Sequence, residues 1–142
     1  MFFLLSFQFI KTMNQKLNAN QITKFLNLYE NNPCLWDVGS DFYNKDRDCR
    51  EQAYRRIVEN MNIEIDGFNA MSTKLKIRSI RNSYSLELDK ITKSKRSGAG
   101  TEYIYKPNVA WFSTAHRILN PVVQISKTQS TEMVNIFFNV FT

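Results

Sequence analysis

The residues of this chain that could bind a charged ligand are concentrated between positions 74 and 96. This window holds eight basic and two acidic side chains, a net charge of +6, which equals the net charge of all 142 residues. The remainder of the chain is therefore close to neutral. A focused positive charge suits a polyanion such as DNA, RNA or an anionic membrane surface. The basic residues of the window are Lys74, Lys76, Arg78, Arg81, Lys90, Lys93, Lys95 and Arg96.

The spacing within this window predicts a polar helix face that could read DNA. Arginine can contact guanine with two hydrogen bonds, and asparagine can contact adenine in the same way. We therefore predict that Arg78, Arg81 and Asn82 contact base edges. At about 100° per residue, Lys74 and Ser85 lie on the same side of the helix as these three residues. The predicted face consists of Lys74, Arg78, Arg81 and Ser85, with Asn82 alongside.

Further basic residues are predicted to contact the DNA backbone. Lysine, and arginine in a loop, neutralise phosphates, which fixes the register of a protein on DNA and adds salt-dependent affinity. Lys76 points toward the opposite side of the helix and fits the DNA-binding face poorly. Phosphate contacts are predicted for Lys74, Lys93, Lys95 and Arg96.

A simpler interpretation of a basic helix face is a solvated surface, which is what most such faces are. Leu86 points away from the apolar arc of the same helix and interrupts its charge. The second helix carries acidic and basic residues in similar number. These features favour an alternative function, a protein-interaction module with weak or no specific DNA binding.

Other residue combinations do not indicate catalysis, a cofactor or a metal site. His116 lies in an apolar helix without a serine, cysteine or aspartate at a suggestive spacing. Cys34 and Cys49 form no CxxC pair, and one histidine cannot complete a Cys/His zinc site with them. The segment 97–100 (SGAG) lacks the spacing of a phosphate-binding loop and follows a helix rather than a strand. We therefore predict that the protein is not an enzyme.

Four helices are predicted from the periodicity of apolar residues, and the third carries the DNA-binding face. Asn20 is predicted to cap the first helix, and Asn69 the third. Pro107 suits the first turn of the fourth helix, which is predicted to stop at Asn120-Pro121. Leu35 and Trp36, in the first connector, are predicted to join the core. The predicted ranges are about Gln21 to Asn31, Lys45 to Asn62, Ala70 to Lys93 and Pro107 to Asn120.

These helices predict a single all-α domain over residues 21–120, with an N-terminal extension (1–20) and a C-terminal tail (121–142). Hydrophobic residues make up 43% of the chain, which supports a folded core, and the four glycines and three prolines are too few for a turn-rich β sandwich. The apolar run at 1–10 is shorter than the about 20 residues that span a bilayer. It also lacks the basic start of a signal peptide. We prefer an intracellular protein starting naturally at Met13 over a secreted or membrane-tethered one.

Four blocks of the sequence, in order, resemble the MADF domain family. The first opens with Phe25 to Tyr29 and continues with the Pro-Cys-Leu-Trp-Asp run at 33–37. The second contains Tyr43 and Ala53-Tyr54. The third is the basic run 76–84 followed by Glu87-Leu88, in which Ile77 and Ile80 replace an aromatic and a leucine. The fourth combines 94–101, Tyr105-Lys106-Pro107 and Trp111-Phe112.

The resemblance implies a mostly α-helical, Myb/SANT-like domain that binds double-stranded DNA in transcription regulators. It covers about Ile22 to Leu119 and places the family's DNA-reading residues on the third helix. It also implies a nuclear protein, with transcription or chromatin proteins as further partners. In this helix-turn-helix arrangement the third helix enters the major groove.

Overall fold

The computed structural model describes residues 16–96 and 104–124, except for the side chains of Asn44 and Lys45. Within these ranges the protein is helical and contains no strand. The longer helices are α1 (Ala19–Glu30), α2 (Arg47–Asn62) and α3 (Ala70–Arg96), followed by α4, whose described part covers residues 112–124. A 3-10 helix (Pro33–Leu35) and a single helical turn (Phe42–Lys45) connect α1 to α2. The apolar run at 1–10, the loop at 97–100 and the tail at 125–142 lie outside the described residues.

Helix α1 begins two residues earlier than the sequence predicted. The residue that caps it is Asn18, not Asn20, because Asn18 has an extended backbone and its side chain accepts a hydrogen bond from the Gln21 amide. The Gln21 side chain accepts one from the Asn18 amide in return, which completes a capping box. The predicted end is confirmed, since the helix stops at Glu30. The Trp36 indole donates to the Glu30 carbonyl at 3.1 Å.

Asp46 and Asn69 cap the next two helices. Asp46 has an extended backbone that separates the turn Phe42–Lys45 from α2, so α2 starts after Lys45 rather than at it. The Asp46 carboxylate accepts from the Cys49 amide at 2.9 Å. The side chain of Asn69 accepts from the Ser72 amide at 2.9 Å, which confirms the predicted cap of α3.

Helix α4 differs from its prediction at both ends. Pro107 does not start it, because residues 105–109 are irregular and the helix begins at residue 112. It also does not stop at Asn120-Pro121 but continues to residue 124. Pro121 lacks an amide proton, so it removes one helical hydrogen bond. Val123, one turn beyond the break expected from the sequence, packs against the core and compensates for that loss.

The core lies where the apolar stripes of the four helices meet. Its largest fully buried side chains include Phe25, Tyr29, Ile57 and Tyr84. Residues outside the helices complete it, with Leu35 buried and Trp36 partly buried, as predicted. The buried helical residues are Phe25, Leu26 and Tyr29 of α1, Ala53, Ile57 and Met61 of α2, Ile80 and Tyr84 of α3, and Ala115, Ile118 and Leu119 of α4.

A polar cluster ties the segment before α4 back to α3. The buried Glu87 carboxylate accepts from Lys90 Nζ at 2.6 Å and from Tyr105 Oη at 2.8 Å. The Tyr105 amide donates to Ser94 Oγ at 3.0 Å. The hydrogen bonds from Lys90 and Tyr105 hold the pKa of Glu87 below its usual range. The chain thus returns to α3 directly after the 97–103 segment.

This cluster predicts an acid-dependent contribution to stability. Because the pKa of Glu87 is lower in the folded protein, its stabilisation is complete above the ordinary pKa of 4.5 and disappears as the pH falls through the folded pKa. We expect Glu87→Gln to lower the melting temperature near neutral pH and to lower it progressively less as the pH falls below 4.5 and the wild-type carboxyl becomes protonated. Thermal unfolding across this pH range measures the difference, and a difference independent of pH would contradict the prediction.

Candidate nucleic-acid interface

One side of α3 presents a row of polar and basic residues to solvent. We call Lys74, Arg78, Asn82 and Ser85 the outer face of α3, since all four are exposed and lie away from the buried Ile80 and Tyr84. Eleven residues separate its first and last members, about 16 Å at 1.5 Å per residue. Within residues 16–96 and 104–124, the side chains of Arg78 and Asn82 make no hydrogen bond or ion pair. Their donors are therefore available to a ligand.

Arg81 was predicted to belong to this row, but its guanidinium turns inward. Nη2 donates to Tyr29 Oη at 2.8 Å and to the Leu35 carbonyl at 3.1 Å, and Nε donates to the same phenol oxygen at 3.2 Å. The side chain is only partly exposed. Arg81 lies at the border between the apolar arc of α3 and its polar side, where α1 and the 3-10 helix present two acceptors. The structure thus places Arg81 in a contact between elements and not on the outer face.

In this contact a charged donor, the Arg81 guanidinium, meets a neutral acceptor, the Tyr29 phenol. Burial raises the pKa of Tyr29 to about 12, although Arg81 acts in the opposite direction. The phenol is therefore neutral at physiological pH. Its oxygen accepts two charge-assisted hydrogen bonds, which are stronger than bonds between neutral groups.

A basic cleft opens where α2 faces the first turns of α3. We call it the α2–α3 cleft; its volume is about 300 Å³, and it is lined by Arg47, Arg50, Glu51, Tyr54 and Lys74. Lys74 Nζ lies over the Tyr54 ring, 5.0 Å from its centroid, in a cation–π contact. Sequence analysis missed Arg47 and Arg50, since it considered only that the second helix carries acidic and basic residues in similar number. Their spacing to Tyr54 (i, i+3, i+7) already placed the three residues on one helical face.

The remaining predicted DNA-contacting residues lie at the carboxyl end of α3. Lys93, Lys95 and Arg96 are exposed and occupy its last turns, where positive charge interacts favourably with the helix dipole. Arg96 follows Arg78 by five full turns, so both point to the same side of the helix. Lys95 precedes Arg96 by one position and points about 100° away.

The histidine and the two cysteines that were considered for catalysis or a metal site are explained by their places in the fold. His116 Nδ1 is 2.8 Å from Tyr84 Oη, and its ring stacks on Phe112. Cys34 is buried and Cys49 partly buried, and both are free thiols. In the described part of the chain, no three His, Cys, Asp or Glu side chains come together as metal ligands. No helix in that part is long and apolar enough to cross a membrane.

The described residues thus form four longer helices, of which the third exposes a basic face. Residues 25–112 match the model of the MADF DNA-binding family, described as alcohol dehydrogenase transcription factor Myb/SANT-like. Since the match covers more than half of the 142 residues, the chain belongs to this family. Comparisons with curated proteins and with solved structures gave no match.

Membership confirms the resemblance seen in the sequence and the predicted all-α fold. The family is one of DNA-binding domains in transcription regulation and is not a class of enzymes. DNA is accordingly the partner that the family supports. Which residues contact DNA, and how selectively, depends on the geometry of α3 and the surfaces beside it.

Proposed function

We propose that this protein is a sequence-specific module of a nuclear transcription regulator that places α3 in the major groove of double-stranded DNA. The supporting observation is the outer face of α3, where Arg78 and Asn82 are exposed and make no bonds to other described residues. Their donor and acceptor groups match those that guanine and adenine present in the major groove.

The dimensions of α3 agree with this placement. A helix with its side chains is 10–12 Å wide, and the major groove is about 12 Å wide. Arg78 and Asn82 are one turn apart, about 6 Å along the helix. Base pairs are stacked at about 3.4 Å, so the two side chains reach base pairs that lie one or two steps apart. Ser85 continues the same row by nearly one further turn.

Basic residues at both ends of α3 are proposed to contact phosphates. Lys74 lies four residues before Arg78, and the cluster Lys93, Lys95 and Arg96 follows Asn82 by eleven to fourteen residues. Side chains at the two ends of α3 lie toward the walls of the groove, where the phosphates are. Such contacts fix register and carry most of the salt dependence of binding.

The test is a selection of binding sites from random duplex DNA with the full chain at about 150 mM salt, where non-specific phosphate contacts are weakened. We expect an enriched motif. Arg78→Ala and Asn82→Ala are each expected to weaken binding to that motif by about 10- to 100-fold and to relax the preference at one position.

Ser79→Ala is the control, because Ser79 is exposed on α3 but lies about 100° from Arg78 around the helix. It is expected to leave the affinity and the motif unchanged. A folded wild-type protein that enriches no motif would contradict the proposed function.

A protein-interaction module is the second candidate function. Leu86, on α3 next to the outer face, is 61% exposed, and Leu75 is 37% exposed. Contiguous exposed apolar patches are typical of surfaces that bind another protein, and Leu75 and Leu86, eleven positions apart, lie on the same side of α3. DNA binding of equal strength for all sequences, lost at physiological salt, would favour this alternative.

A further inference from the structure

We propose that the α2–α3 cleft holds one phosphate group of the DNA backbone and thereby sets where α3 lies along the groove. This inference rests on the proposed function, because it adds two arginines of α2 to the phosphate contact proposed for Lys74. The ligand is a phosphodiester of duplex DNA. The residues that bind it are Arg47 and Arg50 of α2 and Lys74 of α3.

The charge of the cleft suits an anion. Three of its five lining side chains are cationic and one, Glu51, is acidic. In the described residues, no ion pair joins Glu51 to any of the three cations. The cations therefore keep their capacity for another anion. Arginine suits phosphate because its planar donors can bind two oxygens at once.

Tyr54 helps to position the cations. The cation–π contact holds the Lys74 ammonium 5.0 Å from the ring centroid, so it stays at the cleft rather than in open solvent. Burial raises the pKa of Tyr54, with Arg50 and Arg81 acting in the opposite direction. The phenol stays protonated at physiological pH and can donate a hydrogen bond to a phosphate oxygen.

The size and position of the cleft fit a phosphate at the edge of the groove. A volume of about 300 Å³ corresponds to about ten water molecules, which accommodates a phosphate and its bridging waters. Lys74 belongs both to the cleft and to the outer face of α3. It lies about 6 Å along the helix from Arg78. A phosphate bound there borders the base pairs that Arg78 and Asn82 reach.

The experiment measures binding of the full chain at several salt concentrations to two duplexes, the enriched site and an unrelated sequence. Arg47→Gln and Arg50→Gln are each expected to reduce the slope of log K against log salt, and the double variant to reduce it by at most about 0.9, because both side chains contact the same single phosphate. Both duplexes should weaken by the same factor, and the selected motif should not change. Arg50→Lys should keep the slope near the wild-type value.

Arg55→Gln is the matched control, because Arg55 is exposed on α2 outside the cleft and its loss changes the net charge equally. Slopes that fall no more for Arg47→Gln and Arg50→Gln than for Arg55→Gln would overturn the inference. Arg47 is exposed, so its variant tests the cleft even if Arg50→Gln unfolds. Absence of any preferred sequence would reject the proposed function, while the slope on the unrelated duplex would still report on the cleft.

Discussion

Arg81→Ala is expected to lower the free energy of unfolding by about 3 kcal/mol, since hydrogen bonds to charged groups contribute about 1.5–3 kcal/mol each and are not additive when they share an acceptor. The guanidinium joins α3 to the Tyr29 phenol of α1 and to the Leu35 carbonyl of the 3-10 helix. Its removal leaves the buried Tyr29 oxygen and the Leu35 carbonyl without these donors. Arg81→Lys is expected to recover only part of the loss, because an ammonium lacks the planar arrangement of donors.

Urea denaturation followed by the fluorescence of the two tryptophans, Trp36 next to Leu35 and Trp111, measures this effect. Tyr29→Phe and the double variant complete a thermodynamic cycle, and we expect a coupling energy of about 1–3 kcal/mol between the two side chains. Arg78→Ala is the control on the same helix; it should change stability by less than about 0.5 kcal/mol. If Arg81→Ala kept full stability and instead lost one base preference in the selected motif, Arg81 would read DNA as the sequence alone suggested.

Phe25→Ala is expected to lower the free energy of unfolding by about 3–5 kcal/mol, the range for a large aromatic side chain removed from a core. Phe25 is 0% exposed. Its ring meets that of Phe68 edge to face, with centroids 6.2 Å apart, and so connects α1 to the segment before α3. The substitution removes both the buried apolar area and this aromatic contact. It also leaves a cavity, which the surrounding helices close only partly.

Phe42→Ala is the matched control, because Phe42 is 60% exposed and loses the same atoms. We expect its effect to be below about 1 kcal/mol. Calorimetry of both variants gives the comparison. Equal destabilisation by the two substitutions would show that the core packing of Phe25 contributes less than its burial implies.

The elements of this fold could be predicted because their signals are local. Apolar residues at helical spacing located α1, α2 and α3, and Asn69 marked where α3 begins. The error in α1 also has a local explanation, whereas the error in α4 depends on packing against the core. Two asparagines at 18 and 20 both suit a cap, and only Asn18 has a glutamine three residues later that completes the capping box. Pro121 indicated a helix end, yet the packing of Val123 favours continuation.

The residues of the candidate site were harder to predict, because helical periodicity gives the direction of a side chain but not its neighbours. Arg78 and Arg81 looked equivalent in the sequence, being three positions apart on one basic stripe. In the folded protein they differ, since Tyr29 and Leu35, 52 and 46 residues earlier in the chain, present acceptors to Arg81 alone. A guanidinium beside such acceptors makes intramolecular bonds instead of facing solvent.

The sequence by itself determined the family, through four blocks of residues that resemble it. It also determined the helical class and the helix that carries the positive charge, because composition and periodicity are properties of short segments. Only the tertiary structure decided which of those charged side chains make intramolecular bonds, as Arg81 does. It also decided that α2 contributes further positive charge beside α3. The α2–α3 cleft exists because Arg47 and Arg50 are brought to Lys74 across more than twenty residues of sequence. The packing of the apolar stripes of α2 and α3 sets that approach, and with it the surface that we propose contacts the DNA backbone.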